Sequence, residues 1–201
     1  DIRNRTWSER LLELSGMPPD RLCPIRESGT VIGNVTKECS ESTGLPVGIP
    51  VVTGGHDCEL GVLGAGVSDP YTFIDITGTW EIIAAVVNEC NPTPGMYRAG
   101  LDYECHALPG QWILQGLMIA GGIIEWLGRQ LYRDITDAET LYQAMISDAA
   151  KVMPGSEGVS LFPCWVGGMG PYFAYGSLGA VTGLCTTTDR SHIARAAWEA
   201  L

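Results

Sequence analysis

Three short stretches of this 201-residue chain place reactive side chains beside glycine. In Gly54-Gly55-His56-Asp57, an imidazole and a carboxylate follow a compact β-branched run, Ile49 to Thr53, bounded by Pro46 and Gly48. Such a run reads as a buried strand. Asp57 then stands near a strand end, where glycines let a substrate come close to the backbone. A carboxylate so placed suits a general base or a metal-orienting group. The same residue can equally cap the glycine-containing helix expected over 57–66. His56-Asp57-Cys58 offers three ligand types in a row, but consecutive residues rarely converge on one ion, so no metal site is assigned.

The second stretch is Thr77-Gly78-Thr79, between two β-like segments, 71–76 and 80–87. A glycine flanked by hydroxyls can offer N–H and Oγ groups to a phosphate oxygen; it can also be a plain hairpin turn. The third is Gly121-Gly122, inside an apolar stripe of Leu117, Ala120, Ile124, Leu127 and Leu131 that predicts an amphipathic helix over 117–131. Two glycines in a helix interior cost roughly 1–2 kcal/mol relative to alanines. Their presence implies close approach, either of a ligand or of a packed neighbour. No Walker A motif, nucleophile elbow or His-Glu-x-x-His occurs.

The elements that must position these residues alternate between helix and strand. Ser8 and Gly16 bracket a short helix over 8–15. Residues 88–110, rich in Asn, Pro and Gly, read as irregular. Thr136-x-x-Glu139 predicts a capping box opening another helix. Residues 159–162 and 179–184 read as strands flanking a Gly- and aromatic-rich loop over 163–177, and Asp189 caps a last helix. This alternation gives an α/β class, or α+β with mixed sheets. Because the chain opens on Asp1 and closes inside a helical pattern, it reads as an excised piece.

Formal net charge is −11, from 23 acidic against 12 basic residues, with no basic cluster. That balance disfavours nucleic acid, whereas a nucleotide can still be held by backbone donors and a divalent cation. No apolar run is long enough to span a membrane. The seven cysteines are scattered, with no Cys-x-x-Cys, which fits reduced thiols in a cytoplasmic enzyme.

In combination these stretches resemble a known family. Gly-Gly-His-Asp, then Thr-Gly-Thr between strands, then Ala120-Gly121-Gly122 ahead of Glu125-Trp126-Leu127, is similar to the FGGY carbohydrate kinases. The tail is the most specific match. Gly179-x-Val181-x-Gly183-Leu184, seven residues, and His192-Ile193-x-x-Ala196-Ala197-Trp198-Glu199 fit the family's C-terminal signature at every position. Gly78-Thr79-Trp80-Glu81 looks most like the fuculose and rhamnulose kinase branch.

The resemblance implies an actin-like ATPase fold of ribonuclease-H-like domains, present in part. Residues 1–68 would close the N-terminal, sugar-binding domain, and 69–201 would form most of the C-terminal, nucleotide-binding domain. It implies ATP and Mg²⁺ as cofactors and a small sugar as substrate, and it leaves a homo-oligomer open. Asp57 matches the catalytic base, with His56 beside it on the sugar side; Gly78, Thr79 and Gly121 match phosphate-contacting positions. Glu125 stands where glycerol kinases carry a nucleotide-contacting Gln. Such a piece is expected to be inactive alone, because the first phosphate loop would precede Asp1. The competing readings are a non-catalytic actin-like scaffold, against which an intact Asp57 argues, and an unrelated hydrolase using Asp57 and His56, for which no nucleophile or oxyanion pattern is present.

Overall fold

A computed structural model describes residues 1–166 and 178–201. The helix expected near the start forms as α1 (Glu9–Ser15), with the Ser8 side chain accepting from Leu11 N and Gly16 closing it in the left-handed region at φ 64°. Next come β1 (Val31–Asn34), α2 (Lys37–Thr43), β2 (Pro50–Val52) and α3 (Asp57–Gly64). β1 and β2 pair antiparallel, with Val31 opposite Val52 and Asn34 opposite Pro50. The strand expected over 49–53 is therefore present, but it is exposed along its whole length rather than buried. Its β-branched residues satisfy the two-stranded ladder without a packed face beneath it.

β3 (Phe73–Thr77) and β4 (Trp80–Val87) form the expected pair, joined through Gly78 and Thr79. A two-residue connection makes them antiparallel. The segment expected to be irregular is not. It holds α4 (Pro94–Arg98), opened by a Thr93 cap with Pro at the first position, and β5 (Leu101–Cys105). Proline suits a first helical turn, because its missing N–H would have no partner there. β6 (Trp112–Ile119) completes a four-stranded sheet in the order β3-β4-β6-β5.

Here the expected long helix is corrected. Residues 117–119 end strand β6, and α5 runs Gly121–Leu131, so Gly121 and Gly122 open a helix instead of interrupting one. The run Leu117-Met118-Ile119 suits a strand, and its spacing with Ile124 and Leu127 imitated a helical stripe.

α6 (Ala138–Ala149) is capped by Asp137, whose carboxylate accepts from Thr140 N, and not by the expected Thr136 box. β7 (Ser160–Phe162) pairs antiparallel with β8 (Ala180–Thr182). The Gly- and aromatic-rich loop expected over 163–177 lies mostly outside the described residues. α7 (Arg190–Ala200) has the expected Asp189 cap, reinforced by a capping box with His192.

The chain divides into two compact units. The first comprises Asp1–Ile74, Ala85–Pro92 and Tyr103–Leu114; the second comprises Asp75–Ala84, Thr93–Asp102 and Gln115–Leu201. The second unit holds the main core: Ile123, Ile124 and Leu127 of α5, Tyr132, Met145 of α6, Leu161 of β7, and Ala196 and Ala197 of α7. A Cβ at Gly128 would stand 2.7 Å from Leu141 Cδ2, so the close-packing glycine between α5 and α6 is Gly128. Among the described residues, no helix is long and apolar enough to cross a membrane.

Candidate active site

The second unit fastens the Thr77-Gly78-Thr79 turn onto the start of α5. Gly121 N donates to Gly78 O at 3.0 Å, Ala120 N to Thr79 O at 3.0 Å and Gly122 N to Thr79 O at 3.2 Å. The first N–H groups of a helix lack partners within it, and here the carbonyls of the turn supply them. A Cβ at Gly121 would stand 2.5 Å from Gly78 O and 3.2 Å from Gly78 C. Backbone cannot yield at that distance, so only glycine fits. Gly122 is limited differently: its Cβ would meet Ile119 Cδ1 at 2.9 Å and the Thr79 methyl at 3.5 Å. With the carbonyls turned to the helix and the methyl lying over Gly122, the exposed Thr79 hydroxyl is left as a donor for an anion. At the base of the turn, Thr77 Oγ1 donates to Glu81 Oε1 at 2.8 Å. Glu125 lies on an exposed turn of α5, 3.4 Å from Arg129 Nη1. Gly78, Thr79 and Gly121 thus form one constellation, with Glu125 one turn further along the same helix.

The first unit positions Asp57 and His56. His56 is the N-cap of α3 without a side-chain capping bond, and Asp57 is the first helical residue. Asp57 Oδ1 accepts from Cys58 N at 2.9 Å, so the carboxylate sits on the partly positive end of α3 while its side chain stays 93% exposed. The cap position belongs to His56, so Asp57 is not the helix cap that its sequence position also allows. A Cβ at Gly55 would meet Ser28 Oγ at 3.3 Å, which shows how closely the strand-to-helix connection passes its neighbour. His56, Gly54, Gly55 and Ser28 help to line a cavity of about 660 Å³, whose wall also includes Trp7 and Glu104.

Glu59 and Glu104, which no spacing argument singles out, complete this region. His56 Nδ1 lies 2.6 Å from Glu59 Oε2 and 3.0 Å from Glu104 Oε2, while Nε2 lies 3.3 Å from Asp57 Oδ1. The aligned hydrogen bond goes to Glu104. Glu59 is only 2% exposed, and neither of its oxygens has a hydrogen-bond partner. Its contact with Nδ1 is close but off the N–H···O line. Burial pushes the Glu59 carboxyl up, and the neighbouring Glu104 charge adds to the rise. Burial alone would lower His56, but Glu59 and Glu104 outweigh it and hold the imidazole above its usual range. Burial also raises the Cys58 thiol, as do Asp57 and Glu59.

The first unit thus presents an exposed carboxylate, and the second a glycine-bound turn at a helix start. Residues 1–64 match the N-terminal domain of the FGGY family of carbohydrate kinases, and residues 76–201 match its C-terminal domain. The chain belongs to the FGGY family of carbohydrate kinases. It is 29% identical to the L-fuculokinase of Escherichia coli K12 over 205 residues, covering 100% of this chain and 40% of that protein. It is 34% identical over 173 residues to the autoinducer-2 kinase of Yersinia enterocolitica, covering 79% of this chain and 31% of that protein. The chain thus spans 40% or less of the length of these relatives. Among solved structures, xylulose kinase from Rhodospirillum rubrum superposes with TM-score 0.76 at 28% identity, covering 100% of this chain and 39% of that one. The ADP-bound glycerol kinase of Plasmodium falciparum, at 20% identity and TM-score 0.75, covers 100% of this chain and 38% of its own and shares the fold.

Proposed function

We propose that the protein containing this chain transfers the γ-phosphoryl group of ATP to a hydroxyl of a ketose or polyol. The observation that carries this reading is the Thr77-Gly78-Thr79 turn held on the start of α5, at a spot where Gly121 leaves no room for a side chain. A tethered turn is pre-organised, and phosphoryl transfer depends chiefly on positioning and charge stabilisation. Gly78 and Thr79 cradle nucleotide phosphates. Glu125, one turn along α5, is placed to contact the nucleotide. Asp57, whose side chain is exposed, takes the proton of the attacking sugar hydroxyl. His56 lines the cavity that would receive the sugar. Mg²⁺ neutralises phosphate charge when it is bound with the nucleotide.

We infer two family domains, 1–68 bearing the base and 69–201 bearing the phosphate turn, with 85–92 and 103–114 of the second packing into the first compact unit. In support, the family matches stop at residue 64 and resume at 76. The relatives' names favour a deoxy-ketose or a similarly small polyhydroxylated substrate. A cytoplasmic setting suits an ATP-consuming enzyme whose seven cysteines are all unpaired.

The test is ADP release by the full-length protein across a panel of ketoses and polyols. Release that requires one class of sugar supports the kinase reading. Nucleotide binding without sugar-dependent turnover would favour the scaffold reading.

A further inference from the structure

His56, Glu59 and Glu104 each bring one ligand atom into a group whose members all lie within 4.8 Å of one another. Acidic clusters are common, and what separates this one is Glu59. Its carboxyl is 2% exposed, has no hydrogen-bond partner on either oxygen, and is directed at the same Nδ1 that Glu104 already engages. A buried carboxylate without a donor is costly. The one Nδ1 proton is aligned with Glu104 and not with Glu59, and the other ring nitrogen faces a third carboxylate, Asp57, at 3.3 Å.

We propose that His56 Nδ1, Glu59 and Glu104 form a divalent-cation site of the Mn²⁺ class. A cation there satisfies both carboxylates at once. The donor set of one imidazole nitrogen and two carboxylates suits Mn²⁺ or Zn²⁺ better than Mg²⁺, which keeps to oxygen ligands. Asp57 then accepts from the other ring nitrogen: ligating histidines commonly donate that N–H to a carboxylate, which fixes the tautomer and the ring. His56 and Glu104 line the cavity, so the remaining coordination positions are open to water. His56 Nδ1 now stands 2.6 and 3.0 Å from the two carboxylates, closer than ligands around one ion, so binding moves it away from them by a few tenths of an ångström. The exposed His56 side chain can make that movement.

The site does not depend on phosphoryl transfer, and its test reads metal binding alone. Full-length protein freed of metal and nucleotide is titrated with Mn²⁺, with free ion followed by electron paramagnetic resonance and bound ion by nitrogen hyperfine modulation. Mn²⁺ is the probe because the free thiols would compete for Zn²⁺. The expected result is one bound Mn²⁺ per chain with histidine-nitrogen coupling, weakened at least tenfold in Glu59→Gln and in Glu104→Gln. Glu104 is only partly buried, so Glu104→Gln keeps the test open should Glu59→Gln fail to fold. No stoichiometric binding, binding without nitrogen coupling, or wild-type affinity in Glu104→Gln overturns the proposal.

Discussion

Asp148 in the second unit and Glu59 in the first are both buried carboxylates, yet their surroundings are opposite. Asp148 accepts from Tyr132 Oη at 3.0 Å, Lys151 Nζ at 2.6 Å and Arg190 Nε at 2.9 Å. The Lys151 hydrogen bond, against the opposing cost of burial, holds its carboxyl below the usual range, with Tyr132 and Arg190 contributing. The guanidinium of Arg190 also lies 4.3 Å over the Tyr132 ring. Glu59 has no aligned donor and is pushed upward, first by burial. The histidines repeat the contrast. His192 gives each ring nitrogen its own carboxylate, Asp189 at 2.8 Å and Glu157 at 3.3 Å. His56 turns one nitrogen to two carboxylates. A satisfied buried charge locks helices together, whereas an unsatisfied one marks a place kept for something else.

Mutating the two carboxylates breaks this comparison most directly. Asp148→Ala leaves Tyr132 Oη and Arg190 without their shared acceptor and should destabilise the protein by about 1–3 kcal/mol. Glu59→Gln, measured in chelator, removes a buried carboxylate that has no aligned donor and only the His56 imidazole beside it, and should cost less than Asp148→Ala. Thermal melts of both variants decide the matter; equal destabilisation would erase the distinction.

A smaller effect concerns the His192 cap of α7. The hydrogen bond to Asp189 raises His192, against slight desolvation, and Glu157 adds to the rise. Its contribution is therefore fully present below the ordinary imidazole range and is lost as pH rises through the elevated value. Asp189 is lowered by the same bond, so its share holds above the ordinary carboxyl range and fades as pH falls through the depressed value. The melting temperature should drop modestly between about pH 6 and 8, and His192→Gln should flatten that slope. An unchanged slope would mean that the His192–Asp189 ion pair adds no stability.

Much of the candidate site was legible in the chain. Glycines before Asp57, hydroxyls around Gly78 and the pair at Gly121 are local signals, and each marks a place where the backbone comes close to something. The geometry refined the last of these. Gly121 answers to Gly78 and not to a facing helix, and the packing glycine is Gly128. What was not legible is non-local. Glu59 and Glu104 lie 45 positions apart in sequence and meet only because α3 and β5 both border His56. β5 and α4 were hidden by Asn, Pro and Gly, since tertiary pairing outweighs weak local propensity in short elements. β2 is exposed where its composition predicts burial, because β-branched residues report strand character without saying what covers it.

Turnover of Asp57→Asn in the full-length protein tests the proposed role of Asp57 as the base that accepts the proton of the sugar hydroxyl. With saturating ATP and the best sugar from the panel, kcat should fall by roughly 10²–10⁴, while nucleotide affinity stays unchanged. Near-normal turnover in Asp57→Asn would contradict the claim.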